Sequence, residues 1–389
     1  MRSRSLLLSA FAITFFSLLI SYLKFARCIP GGWISPDVYQ HGCYTDITGL
    51  YEVRGFAVDA WPFGAGEKSL EYPILSGIGI WIISLLTRDG SDGLLHFFHW
   101  NLFVISLAYG VLVYQLAKLD KQNALLFSFS PAVISALFIN WDIWAITPLL
   151  ISLILLSRQR YWLSGIALAI SISVKFFPII YVIPVLLSLA GKRAGRINFF
   201  KGLMLASLIV NLPFMVFQFD GWAKFYIFNF KRDIDFGSIW YLVSLKGSWI
   251  SGINWVITPL VITLLVATYW RYRNNLFGSI FLSSVIFFTL NKVYSPQYVL
   301  WLALVAVLYF PKTRTFYGLF VIWQGGELLY QFGIWRHLIT VLNEAGGIST
   351  DTYVNISAFR ILSLLALAGY ALVLLENDLI KGRRSESNV

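Results

Sequence analysis

The chain has 389 residues, 58% of them apolar, 17% aromatic and only 13% charged, with a formal net charge of +11 and a mean hydropathy of +0.71. Soluble domains carry about 25% charged and 45–50% apolar residues, so the composition excludes a cytoplasmic enzyme, a secreted disulfide scaffold and a disordered protein, and makes the bilayer the solvent. The positive charge is no footprint of nucleic acid, because in a membrane protein what matters is the side on which Lys and Arg lie.

A spanning helix needs about 20 mostly apolar residues. In chain order such stretches fall at 6–27, 99–117, 124–139, 143–157, 161–175, 177–190, 202–217, 252–270, 276–290, 297–310, 315–333 and 354–375, which predicts twelve spans with both termini on one side. The first is continuous from Leu6 to Phe25 and has no small-residue cleavage site before Cys28, so it reads as a span rather than a removable signal peptide. The apolar stretch 73–87 is left out of the count. As a span it would put Lys118, Lys121, Arg158, Arg160, Lys192, Arg193 and Arg196 outside, whereas as a juxtamembrane or re-entrant helix it returns them all to the cytoplasm. More than half of the 30 basic residues are then cytoplasmic, with only four of the 19 acids: Asp120, Glu376, Asp378 and Glu386. The other carboxylates gather on the extracytoplasmic side.

The expected fold is therefore an all-α integral membrane protein, a bundle of about twelve transmembrane helices. It forms a single polytopic domain over 1–380 with a cytoplasmic basic tail at 381–389. The expected location is the plasma membrane, multi-pass, with both termini cytoplasmic. Cytoplasmic connections are short and there is no Gly-rich phosphate loop, so no nucleotide-binding domain is expected. The outer side carries a long first loop, 28–98, and a second at 218–251, and long loops are uncommon without a function. Cys28 and Cys43 both fall in the first loop, where an oxidising compartment favours a disulfide over two free buried thiols.

Carboxylates alternate with aromatic residues along that loop: Asp37, Tyr39, Tyr44, Asp46, Tyr51, Glu52, Asp59, Trp61, Glu67, Glu71 and Tyr72. Rings stack on pyranose faces and carboxylates accept bonds from hydroxyls, so such a surface over a membrane suits a sugar or a lipid-linked sugar. Acidic outer loops with interfacial Trp and Tyr also occur in any membrane protein. Lys175 and Lys292 stand at outer helix ends, where an ionisable residue at membrane depth points to function and a snorkelling side chain is the plainer alternative. His96 and His99, at i and i+3, have metal-ligand spacing, though interfacial aromatics at the start of a span account for them equally.

Thr45-Asp46-Ile47 early in the first loop, Glu71-Tyr72-Pro73 before the juxtamembrane stretch, and Asn140-Trp141-Asp142 at an outer helix end resemble the GT-C superfamily of membrane glycosyltransferases. Lys175-Phe176-Phe177-Pro178 and the run from Asn291 through Lys292-Val293-Tyr294-Ser295-Pro296-Gln297-Tyr298 to Trp301 are similar to glycosyltransferase family 87. That group includes actinobacterial polyprenyl-phosphate-mannose-dependent alpha-mannosyltransferases. The chain departs from it in having Ile74 where a second Pro is usual, and in being somewhat short.

The resemblance implies an inverting transfer of a hexose, mannose by analogy, from a polyprenyl phosphate donor to a glycolipid or glycan acceptor on the outer face. Membrane lipids are then the partners, with no nucleic acid, no cofactor and no metal. Asp46 matches the family's catalytic base, with Asp37 and Asp59 as alternatives. Lys175 and Lys292 would clamp the lipid phosphate; Arg54, Arg232 and Arg336 would assist; Glu71, Tyr72, Asp142, Gln297 and Tyr298 would contact substrate. A twelve-span secondary transporter or a polysaccharide ligase are the alternatives, and the concentration of carboxylates in one loop, rather than at the bilayer midplane, disfavours the transporter.

Overall fold

Long runs of Leu, Ile, Val and Phe with few charges leave a chain in lipid one economical way to satisfy its backbone, which is to close every N–H onto its own C=O four residues back. The computed structural model describes residues 2–64, 66–87, 90, 92–247 and 252–387, and among these no strand occurs. The helices are α1 (Arg2–Ala26), α2 (Asp37–Gln40), α3 (Asp46–Val53), α4 (Ile74–Ser84), α5 (Gly93–Leu119), α6 (Lys121–Ser128), α7 (Pro131–Ala136), α8 (Asp142–Ser157), α9 (Tyr161–Val174), α10 (Val182–Ser188), α11 (Arg193–Phe217), α12 (Phe219–Lys231), α13 (Ile239–Ser244), α14 (Asn254–Arg271), α15 (Leu276–Leu290), α16 (Val299–Tyr309), α17 (Arg314–Val341) and α18 (Thr350–Ser387). Helix starts carry side-chain caps: Thr45, Asp120, Ser238, Asn275 and Thr313 accept from backbone N–H groups of α3, α6, α13, α15 and α17.

Among the described residues, four segments are long and apolar enough to cross a membrane: Leu6–Ala26, Gly93–Leu119, Arg193–Phe217 and Thr350–Lys381. Seven more helices are apolar but shorter. The stretch 124–139, read from the sequence as one span, is two helices, α6 and α7. Pro131 explains the break, since its ring disfavours helical geometry at the preceding residue and it has no N–H to donate. The stretch 177–190 is likewise split, into a 3-10 turn Phe177–Tyr181 and α10. The connection expected over 191–201 is helical from Arg193 onward, because Arg196, Lys201 and their neighbours extend α11 as a polar first turn. Helix α4 has 11 residues, about 16 Å at 1.5 Å per residue, well short of a bilayer core. The second long loop contains α12 and α13; its residues 248–251, and residues 388–389 of the tail, lie outside the described set.

The chain divides into two compact units. One comprises Met1–Phe129, Val133–Ile179 and Leu189–Arg232; the other comprises Ser130–Ala132, Ile180–Ser188 and Asp233–Val389. In the first, α8, α9 and α11 pack in succession, and α5 packs on α1 and α8. Glycines set the closest approach: a Cβ on Gly165 would stand 2.1 Å from the Phe199 carbonyl oxygen, and one on Gly202 would stand 2.2 Å from that of Trp162. The α9 and α11 backbones therefore touch, the small-residue contact on which lipid-embedded helices rely. In the second unit α17 packs along α18, and α15 packs on α14, α16 and α18.

Cys28 and Cys43 are disulfide-bonded, with Cα atoms 6.2 Å apart, and they pack with Val38 against Trp33, Tyr39 and Tyr44. Opening the bond frees a loop of 15 residues, worth about 3 kcal/mol of unfolded-state entropy. Reduction, or Cys28→Ala with Cys43→Ala, is expected to lower the thermal unfolding midpoint in detergent by several degrees; an unchanged midpoint would show that the bond does not constrain this loop.

Candidate functional site

The site is built where the start of α3 meets the start of α8. The Thr45 hydroxyl caps α3 by accepting from the Ile47 N–H at 3.2 Å and donates to the Phe138 carbonyl at 2.6 Å. The Asp46 N–H donates to the Ile139 carbonyl at 2.8 Å. These bonds seat the first turn of α3 on the segment leading into α8, and so bring Asp46 against Asn140, 94 residues away in the chain.

Asn140 is the hub. Its Nδ2 donates to Asp46 Oδ2 at 2.5 Å and to Tyr72 Oη at 2.7 Å, while its Oδ1 accepts from the Trp141 N–H at 2.6 Å and from Lys175 Nζ at 2.9 Å. Asp46 Oδ1 accepts from Tyr44 Oη at 2.8 Å. Lys175 also pairs with Asp142 Oδ2 at 3.5 Å and lies 4.5 Å from the centroid of the Tyr72 ring, which Trp141 meets edge-on. Asp142 is 1% exposed, and such burial is tolerable because its charge is answered. Lys175 comes from the end of α9, whose neighbouring Val174 carbonyl accepts from Ser76 of α4 at 2.6 Å.

Burial pushes the Asp46 carboxyl above the ordinary carboxylate range, and this outweighs the lowering from the Tyr44 bond, the Lys175 charge and the Asn140 bond. The Tyr44 phenol is held well above its usual value, first by the Asp46 charge and then by burial; for Tyr72 burial comes first and Asp46 second. Both phenols therefore stay neutral, which leaves Asp46 as the proton acceptor of the set. A carboxylate so placed is a stronger base than one in water. Because the folded chain holds this proton more tightly than the unfolded one, the group's stabilising contribution is present at low pH and is lost as pH rises through the window between the two pKa values.

The other expected residues separate into groups. Arg54 caps α3 and pairs with Glu71 at 2.5 Å, donating also to the Glu67 carbonyl at 2.9 Å. Lys224 of α12 donates to the Gly66 and Glu67 carbonyls at 3.1 and 3.2 Å, closing the same segment from the other side. Tyr72, Pro73 and Ile74 gather with Asn211, Trp222, Phe225 and Tyr226, of which the last four were not singled out in the sequence. Asp37 starts α2 and Asp59 sits in a left-handed turn with φ 51°; both are exposed and neither is among the residues bonded to Asp46. Arg232 ends α12, stacked on Phe228. Arg336 donates to the Gly346 carbonyl at 3.1 Å.

Lys292, Gln297 and Tyr298 belong to the other unit. Lys292 lies in the turn between α15 and α16, its carbonyl accepting from the Asp235 N–H at 2.9 Å. Gln297 is buried, and the Tyr298 ring packs tilted against Phe288 with centroids 4.5 Å apart. His99 contacts Tyr22 Oη through Nε2 and the Leu95 carbonyl through Nδ1. Among the described residues no three His, Cys, Asp or Glu side chains gather so as to hold a metal ion.

The family model described as Mannosyltransferase (PIG-M) matches residues 140–340. The chain belongs to this mannosyltransferase family. The match begins at the hub residue Asn140 and takes in Asp142, Lys175 and the turn bearing Lys292; Asp46 lies before it. The chain is also similar to the GPI alpha-1,4-mannosyltransferase I catalytic subunit of Danio rerio, with 26% identity over 207 residues, 47% of this chain and 51% of that protein. The chain thus spans about half the length of the curated relative it matches. Four of its described helices are long and apolar enough to cross a membrane, which agrees with a membrane setting.

Sequence reasoning missed Asn140 as the bonding centre and Tyr44 as a donor to Asp46. The signal for both was adjacency: Tyr44 precedes Asp46 by two residues, and Asn140 opens the Asn-Trp-Asp motif.

Proposed function

We propose that the chain transfers mannose from a polyprenyl phosphate carrier to a glycolipid or glycan acceptor on the extracytoplasmic face, with Asp46 as general base and without a metal. The observation that carries this reading is the partly buried, hydrogen-bonded set Tyr44–Asp46–Asn140–Lys175, a carboxylate of raised proton affinity near a cation, in a chain of the mannosyltransferase family. The acceptor hydroxyl gives its proton to Asp46 while its oxygen bonds to the sugar C1. The bond from C1 to the phosphate oxygen breaks, and polyprenyl phosphate leaves with the electron pair. One inversion at C1 results. The GT-C fold and the donor come from the likeness to glycosyltransferase family 87, which rests on the motifs at 175–178 and 291–301. An alpha linkage is added by the name of the Danio rerio relative. By the same likeness we assign phosphate contacts to Lys175 and Lys292, with Arg54 and Arg232 as second-line contacts, and sugar or lipid contacts to Glu71, Tyr72, Gln297 and Tyr298.

The test is transfer of labelled mannose from polyprenyl phosphate mannose to a membrane lipid extract by the purified protein, with and without chelator. A labelled lipid formed equally in both supports the reading; product only when divalent cation is present would remove the metal-free reaction.

Asn140→Ala deletes a bond that lowers the Asp46 pKa and leaves the carboxylate less well oriented. The rate at neutral pH is expected to fall by about tenfold or more, on the scale of lost positioning, and the acid limb of the pH–rate profile to move to higher pH. A slower enzyme with an unmoved acid limb would show that Asn140 does not act through Asp46.

A further inference from the structure

Arg360 of α18 and Glu327 of α17 are both fully buried. Arg360 Nε donates to Glu327 Oε2 at 2.8 Å, and Glu327 Oε1 accepts from Tyr294 Oη at 2.5 Å and Trp323 Nε1 at 3.1 Å. The guanidinium carbon lies 3.4 Å from the Tyr294 ring centroid and 4.0 Å from that of Tyr330. Its two remaining nitrogens point at backbone: Nη1 donates to the Tyr294 carbonyl at 2.7 Å and Nη2 to the Ser295 carbonyl at 3.1 Å. Gly326 lets α18 come this close, since a Cβ there would stand 3.2 Å from the Arg360 Cα.

The carbonyls so held belong to the turn that carries Lys292. That turn is fixed from a second direction, by the Asp235 N–H on the Lys292 carbonyl. Gly237, at φ +79°, fits between the Tyr294 carbonyl and the Tyr330 hydroxyl, where a Cβ would meet them at 2.6 and 2.2 Å, and its N–H donates to Tyr353 Oη at 3.0 Å. Non-helical backbone at membrane depth needs donors supplied by protein, and a rigid planar fork reaches two adjacent carbonyls and a carboxylate from separate nitrogens, where a lysine offers a single compact ammonium on a flexible stem. A buried ion pair is poor evidence for stability, because apolar residues of similar volume often replace it at no loss. What the apolar pair could not do is hold the two carbonyls.

We propose that Arg360, braced by Glu327, is a positioning residue that fixes the Lys292–Ser295 turn and thereby the ammonium offered to the anionic phosphate of the donor. This rests on the donor role proposed for Lys292. Two variants test it, Arg360→Lys and the double apolar variant Arg360→Met with Glu327→Leu, each measured for thermal unfolding midpoint, kcat and KM for polyprenyl phosphate mannose, and each combined with Lys292→Ala. At least one is expected to keep a near-normal midpoint while kcat/KM falls about tenfold or more, the scale of a displaced substrate contact. In that background Lys292→Ala costs little further, whereas in the wild type it costs about as much as the positioning variant itself.

A folded variant of either kind with wild-type kcat/KM, or an undiminished effect of Lys292→Ala, would overturn the proposal. If the wild type transfers no mannose, the donor reading fails by itself. The turn is then read directly by the alkylation rate of Lys292→Cys with a charged thiol reagent, expected to change several-fold on adding Arg360→Lys, and equal rates would refute the positioning role.

Discussion

Asp46→Asn is expected to lower mannose transfer by at least about 100-fold, since a general base supplies 10²–10⁴-fold and no other carboxylate in the bonded set has an open position. Asp142 is 1% exposed and paired with Lys175, and Asp37 and Asp59 stand apart. The fold should survive. Asn is isosteric, keeps an oxygen for the Tyr44 hydroxyl, and loses one bond to the Asn140 amide, a cost on the order of 1 kcal/mol. Initial rates with labelled donor, together with a thermal melt in detergent, check both halves. Retention of more than about a tenth of the wild-type rate would take the base role from Asp46.

Gly165→Leu is expected to have the largest effect on stability. The added Cβ would meet backbone, 2.1 Å from the Phe199 carbonyl oxygen and 2.7 Å from the Leu203 nitrogen. Backbone cannot rotate aside as a side chain can, so α9 and α11 must part, losing the packing that lipid does not replace. Overpacking of this kind costs about 3 kcal/mol or more, and the site depends on α9 because Lys175 follows its last turn. Gly369→Ala is the control: nothing lies within 4 Å of its added Cβ, and Ala in a helix interior is favoured over Gly by about 1 kcal/mol. Size-exclusion profiles in detergent should show aggregated or absent protein for Gly165→Leu and normal protein for Gly369→Ala; a monodisperse Gly165→Leu with an unshifted midpoint would contradict the close backbone contact.

The helical class was legible because it follows from composition and apolar run length, both summed over many residues. Interruptions were less so. The stretch 124–139 looks continuous to a hydropathy count, yet Pro131 and the end of α6 at Ser128 divide it. Within the site, Asp46, Asp142, Lys175 and Tyr72 could be nominated as residue types at helix ends, but their mutual bonds could not, since 94 residues separate Asp46 from Asn140. An uncharged Asn carries no signal in charge, though it makes four of the bonds that hold the set together. Arg360 and Glu327 could have been flagged as charges inside apolar helices; their separation by 33 positions in the chain hid that they share one ion pair.

The measurement that bears most directly on the central claim is a donor comparison in one purified preparation: labelled mannose offered either as polyprenyl phosphate mannose or as a nucleoside diphosphate mannose, with a lipid acceptor extract. The account predicts labelled glycolipid from the lipid-linked donor alone, lost in Asp46→Asn. Equal or faster transfer from the nucleotide sugar, indifferent to Asp46, would contradict it.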